Sequence, residues 1–231
     1  MTDRVWPGKL AFDLDRAPKV VFEDEDLLIL DKPQGVLVEG FNSGEGTLTD
    51  WVNDYAWNHS RPLHRLDRDT SGLVLFAKNQ KWNRELSELF EKKKIRKEYW
   101  MIVVGSWDKR TNKVETKIRP LSEGRWENSI DIGKPSKTTF RVLGSDREYS
   151  WIQALPKTGR THQIRLHCLE AGHPIVGDRF YSSDRANAFM LHAYSLGFRH
   201  PNGSGDVRVS VDPPEFWHHW LNRLSFRSYS K

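Results

Sequence analysis

The sequence holds a single cysteine, Cys168, in 231 residues. One thiol cannot close an internal disulfide, nor anchor a cysteine-based zinc site. Such usage suits a reducing compartment. No apolar run of ~18 residues occurs, so no membrane-spanning helix is expected. The opening segment MTDRVWPGKLAFDLDR has no continuous apolar stretch of the kind a secretory signal needs. There is no H-E-x-x-H, and the glycines of GFNSGEG and PNGSG match neither a phosphate-binding loop nor a dinucleotide fingerprint. No repeat, low-complexity tract or Pro/Gly/Ser linker divides the chain. These absences leave a globular protein of the cytosol or nucleus, with the cytoplasm as the expected location.

The apolar share is low, at 37%, but 10 Trp, 6 Tyr and 11 Phe supply core volume. Lys and Arg total 36 against 31 for Asp and Glu, a net charge of +5. That modest excess fits a polyanionic partner without requiring one.

Local patterns predict one α+β domain over residues 19–231, preceded by an arm over 1–18 that carries Pro7, Gly8 and Pro18. Val20–Phe22 and Leu27–Leu30 read as short strands around the acidic turn 23–26, and Lys32-Pro33-Gln34-Gly35 as a turn. Thr47–Trp57 reads as a helix, because Leu48, Trp51, Val52 and Tyr55 share one face, with Thr47 as cap and Asp50 in the first turn. A second helix is expected over 79–94, with Trp82, Leu86, Leu89 and Phe90 on its face, and a third over 161–171, stopped by Gly172 and Pro174. Strands are expected at 72–78, 99–105, near 113–118, and at 137–143, 149–155, 189–198 and 206–211. The sheet is expected to be mixed or antiparallel.

Two polar loops could carry chemistry. In the first, HRLDRDTSG (64–72) runs straight into an apolar strand, with Asp67 and Asp69 set among Arg61, Arg65 and Arg68. Neighbouring cations favour an ionised carboxylate, which acts as base or nucleophile. Spacing does not choose between the two aspartates, and an ordinary ion-paired turn is the competing reading. The second loop, LPKTGRTHQIRLH (155–167), puts Arg160, Thr161 and His162 at a helix start, a place that attracts phosphate. A solvated basic helix start competes with that reading. Arg165 faces either a cleft or water; the pattern allows both. Tyr99, opening a strong strand, offers a ring face to a base and a hydroxyl to a proton, or is a plain core aromatic. His162, His167, His173 and His192 have no carboxylate or cysteine at ligand spacing, so no metal site is expected. His218 and His219 are expected at the surface.

The residues then meet a known pattern. HRLDRDTSG resembles the signature motif of the RluA-type pseudouridine synthases. LILDKPQGVLV (28–38), RKEYW (96–100), GKPSKTTFRVL (133–143), PKTGRTHQIRLH (156–167), GHPIVGDRFY (172–181) and MLHAYSLGF (190–198) are similar to further segments of that family, in the same order. The resemblance covers roughly residues 20–216. It implies an α+β core with a large, bent, mostly antiparallel sheet and an RNA-binding cleft along it. It implies that Asp67 is the catalytic aspartate and Asp69 a loop residue. Arg65 would help displace the target nucleotide, Tyr99 would stack on the uracil, Arg165 would pair with Asp67, and Leu191 would pack against the base pocket. Many relatives carry a small N-terminal RNA-binding module, and the residues before Val20 are too few for one. The resemblance is therefore to the stand-alone subgroup.

What the resemblance implies chemically is isomerisation of uridine to its C-glycoside. The N1–C1′ bond breaks, the uracil turns, and C5 bonds to C1′. Nothing is oxidised or transferred, so no cofactor, nucleotide or metal is expected. The uracil must leave its stack, at a cost of a few kcal/mol. The expected partner is structured RNA, with transfer RNA, large-subunit ribosomal RNA or both as targets, and the expected state is a monomer. Two other classes stay open: an RNA-binding or RNA-chaperone protein without catalysis, and a metal-dependent nuclease or phosphoesterase that uses the histidines.

Overall fold

The computed structural model describes residues 17–40, 46–56, 60–107, 113–182 and 186–225. Most of the expected N-terminal arm lies outside the described residues. Fifteen elements run in chain order: β1 (Lys19–Glu23), β2 (Leu27–Lys32), α1 (Leu48–Ala56), β3 (Arg61–Pro62), β4 (Ser71–Ala77), α2 (Asn83–Glu91), β5 (Arg96–Val104), β6 (Lys113–Pro120), β7 (Trp126–Ser129), β8 (Lys134–Ser145), β9 (Tyr149–Pro156), α3 (Gln163–Glu170), β10 (Leu191–Arg199), β11 (Asp206–Ser210) and α4 (His218–Ser225). The architecture is α+β. Among the described residues the strands form one 11-stranded sheet, ordered β1-β2-β4-β10-β5-β9-β8-β6-β7, with β11 paired to β10 and β3 to β4. Among the described strands only β4 and β10 run parallel; the other pairings are antiparallel.

The continuous apolar runs of β2 and β4 are explained by cover on both faces. Leu28, Leu30, Val74 and Phe76 pack with Leu48, Trp51 and Val52 of α1. Leu27, Ile29, Leu73 and Leu75 pack with Leu86 of α2 on the opposite face. Each such buried side chain contributes roughly 1.5–3 kcal/mol relative to exposure. α1 begins with a reciprocal cap: the Asp50 amide donates to Thr47 Oγ1 at 3.2 Å, and the Thr47 amide donates to Asp50 Oδ2 at 2.8 Å. The third cluster, around Met101, Ile152, Ile164 and Cys168, also takes in Trp217 and Leu224 from the α4 end of the chain.

Three departures from the sequence reading have local causes. The segment expected as one helix over 79–94 opens as a 3-10 turn, Gln80–Trp82, because the Asn79 side chain accepts from the Lys81 amide. α3 starts at Gln163 and not at 161, since His162 holds a left-handed backbone with φ 56°. β7 and α4 were not expected: WENS is short and polar, and HHWLNRLS has no capping residue to announce it.

The parallel β4–β10 pair fixes where the polar loops converge. Ala193 of β10 faces Gly72 on one side and Tyr99 on the other. Gly72 has φ +104°, and a Cβ there would stand 2.4 Å from Ala193 O. Only glycine permits this approach. It delivers the 64–71 loop to the edge of the strand that carries Leu191.

Candidate active site

A cleft of about 920 Å³ opens over this junction, and Arg65, Asp67, Tyr99, Arg160, Arg165 and Leu191 all line it. They arrive from distant parts of the chain. Arg65 and Asp67 sit on the loop before β4, Tyr99 on β5, Arg160 on the β9–α3 loop, Arg165 on α3 and Leu191 at the start of β10. Asp69 is exposed and lines a smaller adjoining cavity of about 200 Å³.

Asp67 is partly exposed, and its Oδ2 accepts a hydrogen bond from Arg165 Nη1 at 2.9 Å. No donor among the described residues reaches its Oδ1, so one oxygen is clamped and the other is available to a ligand. Arg165 is only 6% exposed. Its Nε and Nη2 donate to the two oxygens of Asp178 at 2.8 and 2.7 Å. The guanidinium lies 5.1–5.2 Å from the rings of Phe180, Tyr181 and Phe189. Burial works against its charge, but the two carboxylates outweigh burial and hold its pKa above the ordinary arginine value. Asp178 is itself pinned, with Oδ1 accepting from the Phe180 and Tyr181 amides at 3.0 and 3.2 Å. The turn that places it needs Gly177, with φ +76°, where a Cβ would stand 2.0 Å from Ala188 O.

The loop is also latched from behind. Lys32 is fully buried, and its ammonium donates to Pro33 O, Val36 O and Arg68 O at 2.8–2.9 Å. The Gly35 amide donates to the same Arg68 oxygen at 3.0 Å. Burial pulls the Lys32 pKa down to about 7, against the fields of Asp69, Asp67 and Asp31. Tyr99 is pushed above the usual phenol value by burial and then by Asp67, so its hydroxyl stays protonated.

His162 stands beside the clamp, with Nε2 3.8 Å from Asp67 Oδ2 and Nδ1 2.7 Å from Tyr181 Oη. Burial lowers its pKa below the ordinary histidine value. The other three histidines have structural partners. His167 meets Thr138, Thr116 and Ser136, His192 bridges Ser71 and Val211 O, and His173 meets Val104 O. Among the described residues no three His, Cys, Asp or Glu side chains gather as possible metal ligands.

The sequence reading did not pick out Lys32, Asp178 or the approach of His162 to Asp67. A lysine closing an otherwise apolar strand was the available sign for Lys32. Asp178 lay inside the quoted GHPIVGDRFY segment with nothing local to mark its partner.

A model of the RNA pseudouridylate synthase family matches residues 26–170, the stretch that supplies Lys32, Asp67, Tyr99 and Arg165. The chain belongs to that family. Over 84% of its length it is 38% identical to ribosomal large subunit pseudouridine synthase C of Vibrio cholerae, and it spans 65% of that relative. Over 78% of its length it is 36% identical to an uncharacterized RNA pseudouridine synthase of Zymomonas mobilis, covering 87% of it. The solved structure of human RNA pseudouridylate synthase domain containing 1 aligns with a TM-score of 0.72 at 28% identity, over 86% of this chain and 84% of that one. Human RNA pseudouridylate synthase domain containing 4 shares the fold, with a TM-score of 0.75 at 22% identity over 89% and 92% of the two chains. The large mixed sheet is thus part of a fold these solved structures share.

Proposed function

We propose that this chain isomerises uridine to pseudouridine in structured RNA, with Asp67 as the catalytic carboxylate and residues 19–231 as one catalytic domain. The observation that carries the reading is the convergence of Asp67, Tyr99 and Arg165 on one cleft, with Arg165 fixing one carboxylate oxygen and leaving the other open. The free oxygen either attacks a carbon of the nucleoside or takes a proton from the sugar as the N1–C1′ bond breaks. The uracil then turns and bonds through C5, and the C5 proton departs as N1 gains one, so the product is an isomer of the substrate. Tyr99 supplies a ring for the base to stack on and a protonated hydroxyl within the cleft. Leu191 packs beside it. Arg65, exposed on the loop, inserts into the helix that the nucleotide has left. Extrusion costs a few kcal/mol, which stacking and insertion offset.

Ribosomal RNA of the large subunit is the first target to test, because the Vibrio cholerae relative is named a ribosomal large subunit pseudouridine synthase; a transfer RNA stem-loop is the second. Expression as a cytoplasmic monomer is part of the same reading. The test is pseudouridine formation in tritiated uridine-labelled RNA. Wild-type protein releases the label from C5. Asp67→Asn abolishes release and keeps RNA affinity within about tenfold. Turnover by that variant overturns the assignment.

A further inference from the structure

Several basic side chains of the described surface are paired with acidic ones. Lys78 pairs with Glu23, Lys81 with Asp26, Arg84 and Lys92 with Glu88, Arg119 with Glu127, and Arg223 with Asp146 and Glu148. The wall of the cleft formed by the start of β5 and the β9–α3 loop carries two basic side chains together. Lys97 and Arg160 both line it, and no ion pair joins either to a carboxylate among the described residues.

The two groups stand close enough to feel each other's charge, and Arg160 is held in place. Lys97 is half-buried on β5, with its ammonium over the next loop, 3.4 Å from where a Cβ on Gly159 would stand. Arg160 is oriented twice: its Nε donates to Pro135 O at 3.2 Å, and its amide donates to Gln163 Oε1 at 3.0 Å. Gln163 is buried and anchored in turn, donating to Lys137 O and Thr138 Oγ1. Two like charges on one wall oppose each other until an anion arrives between them. Removal of that repulsion is then available as binding energy.

We propose that Lys97 and Arg160 form a phosphodiester-binding subsite that grips the RNA backbone beside the target nucleotide. The proposal rests on the RNA-modifying reading of the cleft and adds the residues that hold its strand. The environment of Lys97 suits an anion-dependent charge, since burial, and then the field of Arg160, lower its pKa to about 8. His64, from the segment before β4, also faces it, and burial with the Lys97 field drives the His64 pKa to about 3, so that ring stays neutral. The carboxylates along the cleft, Glu39, Asp67 and Glu91, make no ion pair with Lys97. The free protein therefore holds a partly deprotonated Lys97 at mildly alkaline pH, and RNA binding draws in a proton.

The experiment measures affinity for a fluorescein-labelled RNA stem-loop with a uridine-containing loop, using the full chain, over a series of salt concentrations and from about pH 7 to 9. Removing one phosphate contact in Lys97→Gln lowers the slope of log affinity against log salt by about 0.7–0.9. Lys97→Arg keeps the slope, because its charge persists. Wild-type affinity falls with pH above about 8, by up to tenfold per unit, while Lys97→Arg stays flat. Arg160→Gln lowers the salt slope by a similar amount. An unchanged slope in Lys97→Gln, with a melting curve like wild type, overturns the subsite. So does a pH dependence that persists in Lys97→Arg. Isomerisation is scored separately in the labelled-uridine assay: a wild-type protein that turns over RNA while Lys97→Gln binds normally sinks the subsite alone. Tight, salt-dependent binding without turnover sinks the isomerase reading alone.

Discussion

Replacing Arg165 by methionine separates the two roles of the clamp. The side chain is 6% exposed and satisfies Asp178, which is 1% exposed, through two short bonds. Arg165→Met leaves Asp178 as a buried carboxylate with only the Phe180 and Tyr181 amides to hold it. Breaking a buried pair in this way costs about 3–5 kcal/mol, because the surviving charge has lost both water and partner. The two amides place the expected loss near the lower end, at about 3 kcal/mol. Asp67 adds little to that figure, since its side chain keeps 28% of its exposure and water replaces the lost donor. The stabilising second change is Asp178→Asn. An asparagine retains an oxygen for the same amides and carries no charge to bury. The double variant Arg165→Met/Asp178→Asn is expected to regain about 2 kcal/mol over Arg165→Met alone, a coupling that marks direct contact. Urea denaturation at constant m-value reads these differences. Turnover behaves otherwise: both variants are expected to be inactive, because neither restores a donor to Asp67 Oδ2. An Arg165→Met protein within about 1 kcal/mol of wild type refutes the buried-pair account. So does a double variant no more stable than the single. Recovered turnover in the double refutes the positioning of Asp67 by Arg165.

Three further outcomes rest on the same geometry. Tyr99→Phe keeps the ring and removes the hydroxyl, so turnover falls by about 10²–10⁴ while RNA affinity changes by less than tenfold; equal losses in both, measured on one RNA, indicate a packing role only. Gly72→Ala places a Cβ 2.4 Å from Ala193 O at φ +104°, and is expected to cost at least about 2 kcal/mol in thermal unfolding; a change under about 1 kcal/mol argues against the close β4–β10 approach. His167 and His192 are fully buried, and burial holds both near pKa 4, below the ordinary 6.5. Between those values the unfolded chain takes up protons that the fold refuses, so stability is full above about pH 6.5 and falls with acid, by roughly 2 kcal/mol per histidine at pH 5. Urea midpoints across this range test the sign, and His192→Gln should flatten the curve.

Much of the fold was legible because its signals are local. The i, i+3, i+4, i+7 face of α1 and its Thr47–Asp50 cap lie within ten residues of one another, and the buried runs of β2 and β4 declare themselves by composition. The site was legible only in part, because its decisive contacts are not local. In α3, six of eight residues are buried, among them Gln163, Arg165 and His167. A helix buried on all sides has no amphipathic face, so no pattern could say whether Arg165 met a cleft or water. What makes its burial tolerable is Asp178, 13 residues on, and Asp67, 98 residues back. The choice between Asp67 and Asp69 failed from spacing for the same reason. Both stand among arginines in the sequence, but only Asp67 meets an arginine that is held rigidly by a third group. Lys32 extends the point. A buried ammonium is costly unless saturated, and its bonds to Pro33 O, Val36 O and Arg68 O make it a tie between the first turn and the loop that carries Asp67. The deciding partners of Asp67, Arg165 and Lys32 include groups far along the chain. Where an apolar stretch ends in a buried charge, as at Lys32, or a helix carries one, as at Arg165, the sequence marks a site without naming the distant group that completes it.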